Sequence, residues 1–381
     1  MDRKLRIAVG LSGGVDSAVA AALLASEGHQ VIGITMKIWK PGIALAEGGR
    51  QGCYGPDEAE DIAACETLAR DLGIPYQVID LADEYETLVL DYFRREYRLG
   101  RTPNPCIVCN RELKFGFLLE RARASGLDFD TFATGHYARI VEKDGVNFLA
   151  RARSEAKDQS YFLHSLDSVR LGSTRFPLGE LTKEEVRTAA RQLGLEAADK
   201  AESQDFVSGG DYRPLFAARP PEPGDFVDAE GQVLGRHEGL PFYTVGQRRG
   251  LGISTGPTPL YVLRLEAATN RIVLGHGEGL FAEGLRAASF RFQDPRMAGR
   301  SLRALAKVRQ AHRPAPCTVE SGPEGKAEIR FDCPERAIAP GQSIVLYDET
   351  GLVLGGGTIE GVLDPLSGPV AAATQNPGEH F

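Results

Sequence analysis

Two short strings in this chain hold residue types that do chemistry. The first is Gly10-Leu11-Ser12-Gly13-Gly14-Val15-Asp16-Ser17. Adjacent glycines let the backbone approach an anion closely, and a helix starting behind them aims unpaired N–H groups and a positive dipole end at the same point. Ser12 and Ser17 add hydroxyl donors, and Asp16 has the chemistry to hold a Mg²⁺ that bridges phosphates. No Lys-Ser/Thr pair follows, as a Walker loop requires, and the glycines are adjacent rather than spaced as in the dinucleotide fingerprint. The string predicts a nucleotide-phosphate loop of another kind.

The second string runs from Arg101 to Phe115, with Thr102-Pro103-Asn104-Pro105-Cys106-Ile107-Val108-Cys109 at its centre. Two prolines stiffen the approach, and the Cys-x-x-Cys stands just before a helical pattern over residues 112–124. Thiols at a helix N-terminus, flanked by Arg101, Arg111 and Lys114, are expected to have a lowered pKa. The thiolate is the species that carries, transfers or resolves sulfur. Zinc would need a second pair, and Cys317 and Cys333 have no partner beside them; an iron–sulfur cluster completed by ligands from elsewhere stays open. Residues 94–114 hold five Arg and one Lys against two Glu, +4 in a chain of net charge −8. Such a run is either a solvated face or a surface for a polyanion, and its coincidence with the thiols favours the second.

These strings need elements to position them. Residues 5–11 have the pattern of a buried strand, 17–27 of an Ala/Leu helix, 31–39 of a strand, 57–72 of a helix and 76–80 of a strand, an alternation that predicts βαβ units and a parallel sheet. A further strand is expected at 131–135 and a helix at 183–193. Cys65 falls on the apolar face of the second helix and is expected in the core. After about residue 210 the texture changes to short apolar runs between turn signals, predicting antiparallel β structure, with strands at 302–308, 317–320, 327–331, 343–347 and 352–359. The expected division is 1–211 for the α/β domain, 212–285 for a small central β domain, 286–362 for a C-terminal β-barrel and 363–381 for a loose tail.

The 381 residues suffice for two or three domains. Six cysteines are too few for a disulfide scaffold, the start does not read as a targeting segment, and no run approaches the roughly 18 apolar residues of a membrane span. A cytoplasmic protein with reduced thiols and no membrane partner is expected.

The Ser12–Ser17 string resembles the signature of the PP-loop ATP pyrophosphatases. Together with residues 102–115, Ala133-Thr134-Gly135-His136-Tyr137, Lys157-Asp158-Gln159-Ser160-Tyr161-Phe162, Glu202-Ser203-Gln204-Asp205 and Gly246-Gln247-Arg248-Arg249-Gly250, it is similar to the tRNA-specific 2-thiouridylase family over residues 4–360. The resemblance implies a PP-loop domain, a small β domain and a β-barrel. It also implies ATP- and Mg²⁺-dependent thiolation at C2 of the wobble uridine in the anticodon arm of tRNAs for Lys, Glu and Gln, fed by a sulfur carrier or cysteine desulfurase relay. It places Met36 and Gly135 on the nucleotide, Asn104, Pro105 and Cys106 at the target base, and Cys109 as nucleophile. Lys157, Asp158, Gln159 and His136 fall where the family meets tRNA. Arg309, Gln310 and Gln342 match barrel contacts, with Gln310 standing where the family has Tyr.

One element of the pattern is missing. The family places a second catalytic cysteine just after Ser-Gln-Asp, whereas this chain continues Phe206-Val207-Ser208 and has no cysteine between Cys109 and Cys317. Either Cys106 replaces it, forming a disulfide with Cys109 after transfer, or Cys53 is brought in from the Gly-rich residues 40–56, or free sulfide is used or activity lost. The first is the favoured expectation.

Overall fold

Residues 6–10 form the central strand of a parallel sheet, because Ile7, Ala8 and Val9 are fully buried and helices cover both faces. The computed structural model describes residues 4–45, 52–195, 205–253 and 258–365, arranged in two compact units. Residues 202–204 lie outside the described residues, as does the expected tail beyond residue 365.

The first unit comprises Met1–Phe93, Pro105–Ala218 and Asp348–Gly355. Strand β1 (Arg6–Gly10) leads through the glycine loop into α1 (Val15–Ser26), followed by β2 (Gln30–Lys37), the short β3 (Gly52–Tyr54), α2 (Glu58–Asp71) and β4 (Tyr76–Asp80). Helices α3 (Ala82–Tyr85) and α4 (Asp91–Arg98) are joined by a π-helical turn at Glu86–Leu90. After α5 (Pro105–Val108), a π-helical stretch at Cys109–Phe117 continues into α6 (Leu118–Ala124). Next come β5 (Thr131–Thr134), a hairpin of β6 (Ala138–Lys143) and β7 (Val146–Arg151), α7 (Ser160–Leu163), α8 (Ser168–Gly172), β8 (Thr174–Arg175), α9 (Lys183–Gln192) and β9 (Asp205–Val207). The main sheet has the order β4-β2-β1-β5-β8 with neighbours parallel. The chain leaves β1 to one side and returns to β5 on the other, so the loop after β1 opens at the switch point where such sheets bind ligands. Cys65 is buried in the core between α2 and the sheet, as expected.

Two local readings change. The cysteine pair does not precede its helix: helical structure starts at Pro105, whose fixed φ and missing N–H suit a first helical position, so Cys106 and Cys109 stand within the first turns. The hairpin β6–β7 was not expected, although Asp144 (φ 53°) and Gly145 (φ 75°) form the two-residue turn that joins such strands.

The second unit comprises Arg94–Asn104, Arg219–Tyr347 and Gly356–Phe381. Strands β10 (Gly224–Val227), β11 (Val233–His237), β12 (Tyr261–Glu266) and β13 (Arg271–Gly275) form a sheet of order β11-β10-β13-β12 over a core that includes Phe226, Val262 and Ile272. Strands β14 (Phe281–Phe292), β15 (Ser301–Lys307), β16 (Ala315–Ser321), β17 (Ala327–Arg336), β18 (Ser343–Tyr347) and β19 (Val353–Pro365) close the barrel. Its first strand, β14, begins before residue 286 and lay outside the expected set. Residues 94–104 belong to this unit and are pinned in it. Thr102 N donates to Pro340 O (2.7 Å), Gln342 Nε2 to Thr102 O (3.2 Å), and the hydroxyls of Thr102 and Thr244 are hydrogen-bonded. Gly341 has φ 93°, and a Cβ there would stand 2.9 Å from Thr102 N. Gly341→Ala is therefore expected to destabilise the protein by about 1–3 kcal/mol in urea unfolding, from backbone strain and overpacking together; an unchanged midpoint would contradict this.

Candidate active site

The glycine loop is held by bonds to the sheet beside it. Leu11 N donates to Ile34 O (2.8 Å), and Thr35 Oγ1 donates to Leu11 O (3.0 Å). Within the loop, Ser17 Oγ donates to Gly14 O (3.0 Å) and accepts from Ser12 N (3.2 Å). Gly13 takes φ 73°, and Gly14 caps α1 without a side chain, so no side chain caps the first-turn N–H groups. The end of β5 touches this loop backbone to backbone: a Cβ on Gly135 would lie 2.6 Å from the carbonyl carbon of Asp16.

Asp16 has a different employment from the one its sequence position suggested. Lys183 Nζ, on α9, donates to both of its carboxylate oxygens (2.8 and 2.9 Å), and Tyr137 OH donates to one (2.8 Å). Among the described residues, no group of three His, Cys, Asp or Glu is spaced to hold a metal ion. These residues do not fit a protein-borne Mg²⁺ cage at Asp16.

The loop opens into a cavity of about 400 Å³ within the first unit. Gly10, Leu11, Ser12, Asp16 and Ser17 line one side, and Met36, Gly135 and His136 lie beside them. Pro105, Cys106, Cys109 and Gln159 complete the set of expected residues that meet there. Others do not line it. Gly13 and Gly14 shape the loop, and Val15 is buried in the core of α1. Lys157 is half-buried in a short 3₁₀ turn before α7. Asp158 is turned inward: it is 2% exposed and accepts from Ala152 N (3.1 Å), Ser160 N (3.2 Å) and Ser160 Oγ (2.9 Å), so it fixes the loop and offers no surface to RNA. Asn104, Arg309, Gln310 and Gln342 belong to the second unit. There Arg309 donates to Arg336 O (3.2 Å), and Gln342 holds the Thr102 carbonyl ahead of Asn104.

The electrostatics reverse the expectation of lowered thiol pKa values. Burial pushes Cys106 up to about 12, with Cys53 and Cys109 adding to the shift. Burial likewise pushes Cys109 up to about 11 although Lys114 opposes it. The arginines counted on for activation are engaged elsewhere, Arg101 with Glu96 (3.4 Å) and Arg111 with Glu112 (2.6 Å). Lys114 is the nearby cation, and its own pKa is raised because the surrounding thiols outweigh its burial. Burial, then Lys114, holds His136 well below the usual imidazole range; this neutral ring shares a hydrogen bond with Thr134 Oγ1 through Nδ1 (2.8 Å).

Further residues line the cavity; the sequence had named Lys114 as a flanking cation and Cys53 as one alternative for the missing thiol, but not Asn110. Asn110 is 2% exposed; its Nδ2 donates to Phe162 O (3.1 Å), while its buried Oδ1 has no partner and is an available acceptor. Lys114 reaches the thiols because the π-helical stretch brings residues five apart onto one side. Phe206 and Cys53 line the cavity from β9 and β3. The Cys-x-x-Cys-Asn spacing was the available signal for Asn110; for Cys53 there was none beyond its position in a Gly-rich stretch.

Comparison with known proteins accounts for this arrangement. Residues 5–208 match the tRNA methyl transferase HUP domain, residues 215–276 the tRNA methyl transferase PRC-barrel domain, and residues 282–359 the aminomethyltransferase beta-barrel domain. The tRNA-specific 2-thiouridylase MnmA of Carboxydothermus hydrogenoformans is 44% identical over 362 residues, 93% of this chain and 97% of that one. The protein of the same name from Magnetococcus marinus is 43% identical over 93% of this chain and 99% of its own. MnmA 1 of Syntrophus aciditrophicus is 46% identical over 94% of each. With a phosphate loop and a cysteine pair facing one cavity, and relatives matched along nearly their whole length, the chain belongs to the tRNA-specific 2-thiouridylase family.

Proposed function

We propose that this protein is an ATP-dependent tRNA sulfurtransferase that converts the wobble uridine to 2-thiouridine, with AMP and pyrophosphate as the other products. The observation that carries this reading is the meeting of the glycine loop and Cys106–Cys109 in one cavity. Oxygen at C2 of uracil is a poor leaving group; bonded to the α-phosphate of ATP it departs as AMP once sulfur adds to C2. Both halves of that exchange need a phosphate cradle and a sulfur nucleophile within reach of one base. Open N–H groups at the start of α1 suit the phosphate charge that develops during adenylation. In this reading Mg²⁺ enters on the ATP phosphates, and Asp16 serves by holding Lys183.

The base must be splayed out of the anticodon loop to enter, which costs less than opening a duplex. Pro105 and Cys106 frame it, and the unpartnered Asn110 Oδ1 supplies an acceptor for a base N–H. Cys109 is the nucleophilic thiol of the pair. Neutral His136, with Gln159 and Lys157, lies toward the RNA. Arg309, Gln310 and Gln342 are assigned to the side of the second unit that meets tRNA. The substrates are tRNAs for Lys, Glu and Gln, sulfur comes as a persulfide from a carrier or desulfurase relay, and the work is cytoplasmic; no described helix is long and apolar enough to cross a membrane.

Incubation with ATP and wobble-unmodified tRNA should release AMP and pyrophosphate in a tRNA-dependent manner and place sulfur on the uridine by nucleoside mass spectrometry. Release independent of tRNA would sink the reading. Gly135→Ala drives a Cβ into the Asp16 backbone and should lower the AMP-forming rate on the order of a hundredfold, as expected where reacting groups are misplaced by about 1 Å. The thiol pKa values give a third test. With Cys109 at about 11 and Cys106 at about 12, the thiolates are minor species at neutral pH, so single-turnover sulfur transfer should rise roughly tenfold per pH unit between about pH 7 and 9. A plateau in that range would show a thiol already ionised.

A further inference from the structure

Moving sulfur from a persulfide to carbon leaves two sulfur atoms to be separated, so the chemistry needs a thiol that carries the sulfur and a second that releases it. The segment after Asp205 has no cysteine, and Cys106 and Cys109 stand together on one helical stretch. The cavity has a third thiol. Cys53 lies on β3, and it is exposed whereas Cys106 and Cys109 are partly covered.

Its position is fixed by the fold. Strand β3 pairs in parallel with β9 in the register Gly52↔Asp205 and Tyr54↔Val207, which sets Cys53 level with Phe206, the residue that follows Asp205. The pairing is tight: a Cβ on Gly52 would stand 2.3 Å from the Val207 carbonyl carbon, and one on Gly55 would stand 2.1 Å from Ser208 Oγ. Tyr54 anchors the strand, 1% exposed and stacked on Tyr85 with centroids 5.1 Å apart. Cys53 is also within electrostatic reach of Cys106, Cys109 and Lys114. An exposed thiol on a fixed strand at the cavity rim suits loading from outside, and the two covered thiols suit release within.

We propose that Cys53 is the sulfur-carrying thiol and that Cys109 resolves it. This rests on the sulfurtransferase reading. A persulfide donor hands its outer sulfur to Cys53, leaving the donor as a thiol and Cys53 as Cys–S–SH. The deprotonated outer sulfur attacks C2 of the adenylated uridine; the C2–O bond breaks and AMP leaves with its electron pair, giving a Cys53–S–S–C2 adduct. Cys109 thiolate then attacks Cys53 Sγ, the S–S bond to the base breaks, and 2-thiouridine is released with a Cys53–Cys109 disulfide. The outer sulfur is reduced as two thiols are oxidised, and an external dithiol restores them.

The test uses the full-length protein with ATP, unmodified tRNA and either a small-molecule persulfide or inorganic sulfide. After persulfide loading without tRNA, peptide mass spectrometry should find the added sulfur on Cys53, and a single turnover without reductant should give a Cys53–Cys109 disulfide. Cys53→Ser should lose persulfide-driven thiolation on the order of a thousandfold, the scale of losing a covalent catalytic group, while sulfide, which attacks C2 directly, restores it. Cys333→Ser, an exposed thiol of the barrel, is the control that should leave both rates unchanged. Sulfur found on Cys106 or Cys109 with Cys53 unlabelled, a Cys106–Cys109 disulfide as the turnover product, or full persulfide-driven activity in Cys53→Ser would each overturn the assignment. Failure of the wild-type protein to form AMP with tRNA would instead overturn the sulfurtransferase reading.

Discussion

The active-site architecture depends on the contact of Lys183 with both oxygens of Asp16. Lys183 is almost fully buried, and an ammonium in such a place is tolerated only beside a partner. The pair joins the first turn of α1 to α9, and the Tyr137 hydroxyl ties the chain after β5 to the same carboxylate. Three elements that are distant in sequence are thereby fixed around the loop that faces the cavity.

Around this anchor the cavity carries the carboxylates of Asp16, Glu58 and Asp61, and its helical thiols and histidine are neutral. His136 is uncharged, the two helical thiols hold their protons, and Lys114 is the cation set among them. Such a site keeps its nucleophiles silent until substrate changes their surroundings. The arrangement suits a reaction in which the resolving thiol must stay protonated until the base has received its sulfur.

Much of the fold was legible because its signals are local. A buried β-branched run, then glycines, then an Ala/Leu helix identifies β1, the loop and α1, and the alternation continues to β4. The Cys106–Cys109 pair was equally plain. What sequence could not supply was burial. The flanking arginines suggested activated thiols, yet Arg101 and Arg111 are paired with glutamates and the cavity walls dominate the thiols' titration. Asp158 matched a family string but is enclosed by backbone donors. Cys53 stood in the sequence as one alternative among several, and its place became definite through the pairing of β3 with β9, two segments some 150 residues apart in sequence.

The interleaving of the two units has a consequence for their modularity. Asp348–Gly355 belongs to the first unit although it follows β18 and includes the start of β19, and there Arg151 N donates to Gly351 O (2.9 Å) and Ala150 pairs with Leu352. Arg94–Asn104 makes the opposite excursion. A cut near residue 218 would therefore strip the outer edge of β7 of its pairing and leave an internal loop without its support. A fragment ending there would lack Asp348–Gly355 of its own unit and would carry Arg94–Asn104 without the unit that segment belongs to, so the continuous chain is the piece that holds both sets of contacts.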